Sequence, residues 1–177
     1  MRVFAISVFV VLTTLGAFVR IPLPFTPVPL TLQTFFVLLS GALLGGNLGV
    51  VTQVSYILLG VSGLPIFSQV GSGAVYLFGP TGGYLLGFVF AALLAGKIVR
   101  YCRGNLLLIF GALCLADFVL LSCGMLWLKV IFGYSLNKLL LIGFIPFIPG
   151  DLLKAFIASV VYLKLKSRRT LACLDRQ

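Results

Sequence analysis

Very few residues in this chain can do chemistry. Only three are acidic, Asp117, Asp151 and Asp175, and there is no histidine, so the commonest general base and metal ligand is missing. Asp151 and Lys154 stand three apart and share a face if the segment is helical. Pro149-Gly150-Asp151 reads as a helix start. Asp151 there is either a cap accepting backbone N–H groups or a ligand contact. Lys154 likewise has two readings, a mutual ion pair with Asp151 or a positive point charge for a ligand carboxylate. Read as a site, the pair suits a small solute carrying a carboxylate and an amide-like group. Asp117 falls in the middle of an apolar run, where it either meets Lys154 across a helix bundle or makes a structural contact between helices.

Uncharged polar residues in other apolar runs extend the candidate site. Gln33 and Thr34 follow a proline-rich stretch. Gln53 and Tyr56 lie three apart on one helix face, and Tyr84 follows Gly82-Gly83. Each is a candidate ligand contact, and each is also the kind of residue that joins membrane helices by hydrogen bonds. Cys102, Cys114, Cys123 and Cys173 have no CxxC spacing and read as small apolar residues. The only Gly-Lys dipeptide is Gly96-Lys97, followed by Ile98, so the chain has no phosphate loop of the GxxxxGK[ST] type and does not hydrolyse ATP itself. No pair of carboxylates shares a local context, and no metal-ligand cluster is present. These absences argue against an enzyme.

The elements that must position these residues are apolar throughout. Of 177 residues, 61% are hydrophobic and 9% charged, with a mean hydropathy of +1.23; a soluble domain carries about 25% charged residues. The apolar runs approach the roughly 20 residues that a membrane-crossing helix needs. The chain therefore reads as an all-α, polytopic membrane protein forming a single membrane domain over residues 1–177. Six transmembrane spans are expected at about 3–19, 30–45, 47–64, 83–99, 106–129 and 150–166, with a basic tail at 167–177. A half-buried approach over 139–149 precedes the last span. The first run has the look of a signal peptide, but its length and the proline-rich sequence after it favour a retained span.

The 13 basic residues sort by side under this topology. Arg2, Lys97, Arg100, Arg103, Lys164, Lys166, Arg168, Arg169 and Arg176 fall on one side. Arg20, Lys129 and Lys138 fall on the other, with Lys154 inside a span. The excess marks the cytoplasmic face, so both termini are expected in the cytoplasm. The net charge of +10 thus reports topology, and nucleic-acid binding is not expected. Two unusual segments fall outside: Arg20–Pro29, with Pro22, Pro24, Pro27 and Pro29, and Pro65–Gly82. Closely spaced prolines favour a stiff extended strap. Glycines four apart (Gly41, Gly45 and Gly49; Gly83 and Gly87) mark close helix packing. Thr13, Gly16 and Ala17 form a small-residue patch for internal packing or for docking another membrane protein.

Four stretches also resemble the BioY family of biotin transporters, in the family's order. They are PLPFTPVPLTLQT at 22–34; YILLG at 56–60 with GLPIF at 63–67; GPTGGYLLGF at 79–88; and IPFIPGDLLKAFIAS at 145–159. The resemblance covers about residues 5–166. It implies a substrate-binding S component of an energy-coupling factor transporter: a six-helix bundle that binds biotin near the outer face of the bacterial cytoplasmic membrane. The implied partners are a membrane coupling protein and two ATPase subunits. No cofactor is implied in this chain, ATP being hydrolysed by the partners. The resemblance leaves open transport by the chain alone, as a homo-oligomer, or only with ATPases.

Asp151 and Lys154 match the family's PGDxxK motif and are the implied ligand contacts. Phe67, Tyr56 and Tyr84 are the implied walls, with Gln53 and Gln33 as further contacts and the two outer loops as lids. The chain departs from the family pattern at Ser68–Gly73, where glycines are usual, and at the Gly46–Gly49 turn, where basic residues are usual. Competing readings are a carrier for another vitamin or a biotin precursor, or a membrane scaffold that binds no solute. The scaffold reading predicts that Asp151→Asn and Lys154→Ala leave function intact.

Overall fold

The computed structural model describes residues 2–174, and side chains for residues 2–167. The side chains of Arg168, Arg169 and Cys173, and all of Asp175 and Arg176, lie outside the described residues. The fold is a helical bundle: α1 (Arg2–Phe18), α2 (Gln33–Leu44), α3 (Gly46–Val61), α4 (Ala74–Leu77), α5 (Gly82–Val99), α6 (Leu106–Phe132), α7 (Leu136–Gly143) and α8 (Ile148–Leu174).

Two of these helices, α5 and α6, are long and apolar enough to cross a membrane. The bent pair α7 and α8, at 49° to each other, adds a third if read as one broken span. The helices α1, α2 and α3 are apolar but shorter. Large apolar side chains such as Phe4, Leu58, Phe90, Leu107, Phe118 and Val130 point outward. A surface of this kind belongs in lipid, where a helix satisfies its own backbone. The protein is a membrane protein.

The second expected span starts later than its apolar run. Leu30–Thr31 is a short strand β2, paired antiparallel with β1 at Arg20–Ile21 in the register Arg20 with Thr31 and Ile21 with Leu30. The prolines explain this: having no N–H and a fixed φ, they cannot extend a helix backwards. The strap therefore leaves and returns on a two-rung ladder. Leu32 N–H donates to Gly16 O at 3.1 Å and to Val19 O at 3.0 Å, which ties its foot to α1. Within the strap Val28 turns inward and is buried. The approach to α8 also differs from expectation, because residues 136–143 form a helix of their own, α7.

Glycine and alanine set how closely the bundle packs. A single residue, Gly45 at φ +86°, joins α2 to α3. This left-handed conformation suits glycine and allows the antiparallel pair. Gly41 lies against the backbone of Ala92, and Gly96 against the backbone at Gly45 and Gly46; a side chain at either position has nowhere to go. Gly87 meets the Leu120 backbone on α6. The central helix α5 thereby sits against α2, α3 and α6 at once.

Candidate ligand-binding site

The end of the bundle that carries the strap holds a small cleft of about 40 Å³. Its walls are mostly apolar: Val28 and Pro29 from the strap, Leu85 and Phe88 from α5, Leu121 from α6, and Phe147 before α8. One charged cluster interrupts them. Lys154 Nζ lies 2.7 Å from Asp151 Oδ1. It also donates to Thr34 Oγ1 at 3.0 Å, and Thr34 Oγ1 in turn donates to Asp151 Oδ1 at 3.0 Å.

All three residues are buried: Asp151 is 2% exposed, Lys154 7% and Thr34 8%. The cluster rests on two helix starts. Thr34 is in the first turn of α2, and Asp151 and Lys154 are one turn apart at the start of α8. Asp151 does not cap α8, which begins at Ile148; its Oδ1 is taken by side chains and its Oδ2 has no partner among the described residues. Withdrawing one cation and one anion from water costs several kcal/mol per ion unless the pair is well placed and further bonded. A pair kept at such cost at membrane depth marks a functional site.

Hydrogen bonds position the surrounding groups. Tyr84 puts its ring on the cleft wall while its hydroxyl donates to Gly143 O at 2.6 Å. Gln33 lines the cleft near the ladder; its Nε2 donates to Tyr56 Oη at 2.7 Å, and its Oε1 accepts from Thr31 Oγ1 at 3.3 Å. The Tyr56 hydroxyl donates onward to Ile66 O at 2.9 Å. Thr31, Gln33, Tyr56 and the backbone at Ile66 thus form a relay that fastens the strap to the 65–82 segment. The Trp127 indole N–H donates to Gly79 O at 3.0 Å and holds the far end of that segment on α6.

A model of the BioY family matches residues 1–170. The chain belongs to the BioY family. A relative from Thermotoga maritima described as "Biotin transporter BioY" is 36% identical over 160 residues, covering 90% of this chain and 92% of the relative. A "Probable biotin transporter BioY" from Pyrococcus horikoshii is 37% identical over 164 residues, covering 91% and 93%. A crystal structure of the S-component for biotin from an ECF-type ABC transporter superposes with a TM-score of 0.88 at 26% identity, covering 94% of this chain and 90% of that one.

Within this BioY-family chain the expected site residues divide. Asp151, Lys154, Tyr84 and Gln33 line the cleft, whereas Tyr56, Gln53 and Phe67 do not. Tyr56 and Phe67 are fully buried behind the wall, with their rings edge to face at 5.6 Å. Gln53 donates to Ser40 Oγ at 3.0 Å and joins α3 to α2. Tyr76 stacks on Phe67 at 4.8 Å and presents itself to the cleft in Phe67's stead.

Four polar lining residues were not among the expected contacts: Thr31, Ser68, Tyr76 and Thr81. Ser68 Oγ is buried without a partner among the described residues. Its segment is pinned by Tyr76 Oη donating to Ser68 O at 2.9 Å, and Gln69 and Val70 follow at φ +63° and +60°. A non-glycine pair in the left-handed region is strained and is held there by its surroundings. The departure from a glycine-rich pattern at 68–73 was the signal that pointed to this segment.

Proposed function

We propose that this chain binds biotin in the cleft and carries it across the bacterial cytoplasmic membrane as the S component of an energy-coupling factor transporter. The observation that carries the reading is the buried Lys154–Asp151–Thr34 cluster at the polar spot of an otherwise apolar cleft. Biotin has the complementary parts: a carboxylate, a ureido group with two N–H donors and a carbonyl, and an apolar tail and thiophane ring. Lys154 is suited to the carboxylate or the ureido oxygen, Asp151 to an N–H, and Ser68 Oγ to whichever polar edge reaches it. Phe88, Tyr84 and Phe147 would enclose the rings. Behind them Tyr56, Phe67 and Gln53 act through positioning.

In this reading the chain is one membrane domain of six spans, made by α1, α2, α3, α5, α6 and α8, with α7 on the outer surface. Both termini face the cytoplasm, where the excess of Lys and Arg falls. The chain is a transport component and not an enzyme. It takes its energy from a coupling protein and ATPase subunits, and holds no cofactor of its own.

The test is saturable binding of labelled biotin to the purified protein in detergent, beside Lys154→Ala. Losing one buried charged hydrogen bond costs about 1.5–3 kcal/mol, so affinity should fall about ten- to hundred-fold. Unchanged affinity in a folded variant removes Lys154 from the site. No binding by the folded parent protein removes biotin.

A further inference from the structure

Asp151 also borders a second cavity. This one lies between α6 and the start of α8 and is lined by Asp117, Cys114, Leu121, Phe144, Ile148 and Asp151. The exposed side chains of Phe118 and Leu152 stand at its rim, so it opens sideways toward lipid, away from the strap. Asp117 is 6% exposed, and its Oδ1 is buried without a partner among the described residues. Asp151 Oδ2 is in the same condition. Two carboxylates from different helices therefore border one largely apolar space, each with an unsatisfied oxygen.

Charge counting makes this arrangement informative. The buried ionisable cluster is Asp117, Asp151 and Lys154, two acids against one base. Fully ionised, it leaves one net negative charge at membrane depth, where an unbalanced charge is strongly disfavoured. Water in the cavity can solvate the oxygens but brings no charge. Among the described residues the cavity offers Asp117 no second base: α6 adds Cys114, α8 adds Ile148 and Asp151, with Lys154 one turn on, and the segment before α8 adds only Phe144. A metal ion would need several more oxygen ligands than two carboxylates supply.

We propose that Asp117 and Asp151 together bind one exchangeable proton at this second cavity, and that this proton sets the charge of the cluster seen by a ligand in the main cleft. A ligand carboxylate adds a further negative charge beside the cluster, so it binds more tightly when the proton is present. By linkage, ligand binding draws a proton in as strongly as the proton favours the ligand.

The composition makes the test clean, because the whole chain has only three acidic side chains. In an Asp175→Asn background, infrared spectra of the detergent-purified protein between about pH 5 and 9 should contain a protonated-carboxyl C=O stretch at neutral pH. That band should vanish as pH rises and be missing in Asp117→Asn. Asp117→Glu, which keeps the acid, should retain it and covers the case in which the amide fails to fold. Biotin affinity should fall across the same pH interval by up to about tenfold per pH unit, and be flat in Asp117→Asn. A parent spectrum without the band, a band that survives Asp117→Asn, or a thermal stability that follows sodium concentration and not pH each overturns the proposal. The affinity measurement rests on the biotin reading; the infrared measurement needs no ligand, so the two can fail separately.

Discussion

The two halves of α5 do opposite things with the same helix. From Gly82 to Phe88 it lends Tyr84, Leu85 and Phe88 to the cleft wall, and space is left beside them. From Ala91 to Val99 it buries Ala91, Ala92, Ala95, Gly96 and Val99, with Ala92 against Gly41 and Gly96 against the backbone at Gly45 and Gly46. The difference lies in side-chain size and not in polarity, since both halves are apolar. Small residues bring α5 into close contact at both ends, Gly87 with Leu120 as well as Gly96 with Gly45 and Gly46; only where Tyr84, Leu85 and Phe88 face the cleft do larger side chains leave part of the gap unfilled. A binding site in a bundle is built where close packing stops.

This contrast predicts that substitutions in the packed half change stability and leave affinity per folded molecule alone, while substitutions in the open half do the reverse. The largest effect should come from Gly96→Val, whose new side chain meets the backbone at Gly45 and Gly46. Stability should fall by about 3 kcal/mol, the upper range for overpacking, seen as a lower melting temperature and poor yield. A variant that melts like the parent would break the contrast.

Next comes Thr34→Val, which keeps the shape but removes the hydroxyl shared by Lys154 and Asp151. A cost of about 1.5 kcal/mol should appear as about tenfold weaker biotin binding, measured by equilibrium titration. A weaker effect of about 1 kcal/mol is expected for Tyr84→Phe, which loses the bond to Gly143 O but keeps the ring; affinity should drop about fivefold. The smallest belongs to Gln53→Met, outside the cleft. Its Oε1 is buried without a partner among the described residues, so losing the amide should shift stability by under about 1 kcal/mol and leave affinity unchanged. A large loss of binding there would place α3 in the site.

Much of the bundle was legible because membrane helices announce themselves by length. The apolar runs near 3–19, 47–64 and 83–99 became α1, α3 and α5 with small shifts at their ends. The start of α2 was misread because Leu30 and Thr31 are as apolar as a helix start, and only tertiary pairing with Arg20 and Ile21 makes them strand. The polar centre was legible too: Asp151 and Lys154 are the only opposite charges one turn apart inside a span. Which polar residues reach the cleft was not. Gln53 and Tyr56 share a face as their spacing requires, but sequence does not say what that face looks at, and here it looks at α2 and the 65–82 segment. The departure from glycine at 68–73 marked the segment of Ser68, but only the structure shows its hydroxyl at the cleft.

The one-residue joint at Gly45 has a mechanical meaning. Thr34 sits in the first turn of α2, and a helix of 12 residues places the joint about 18 Å away. A connection of one residue has no slack, and Gly96 is wedged against it from α5. A tilt imposed on α2 at Thr34 cannot be absorbed there and must travel into α3. The α2–α3 pair therefore turns on a joint with no slack, one residue long and backed by α5.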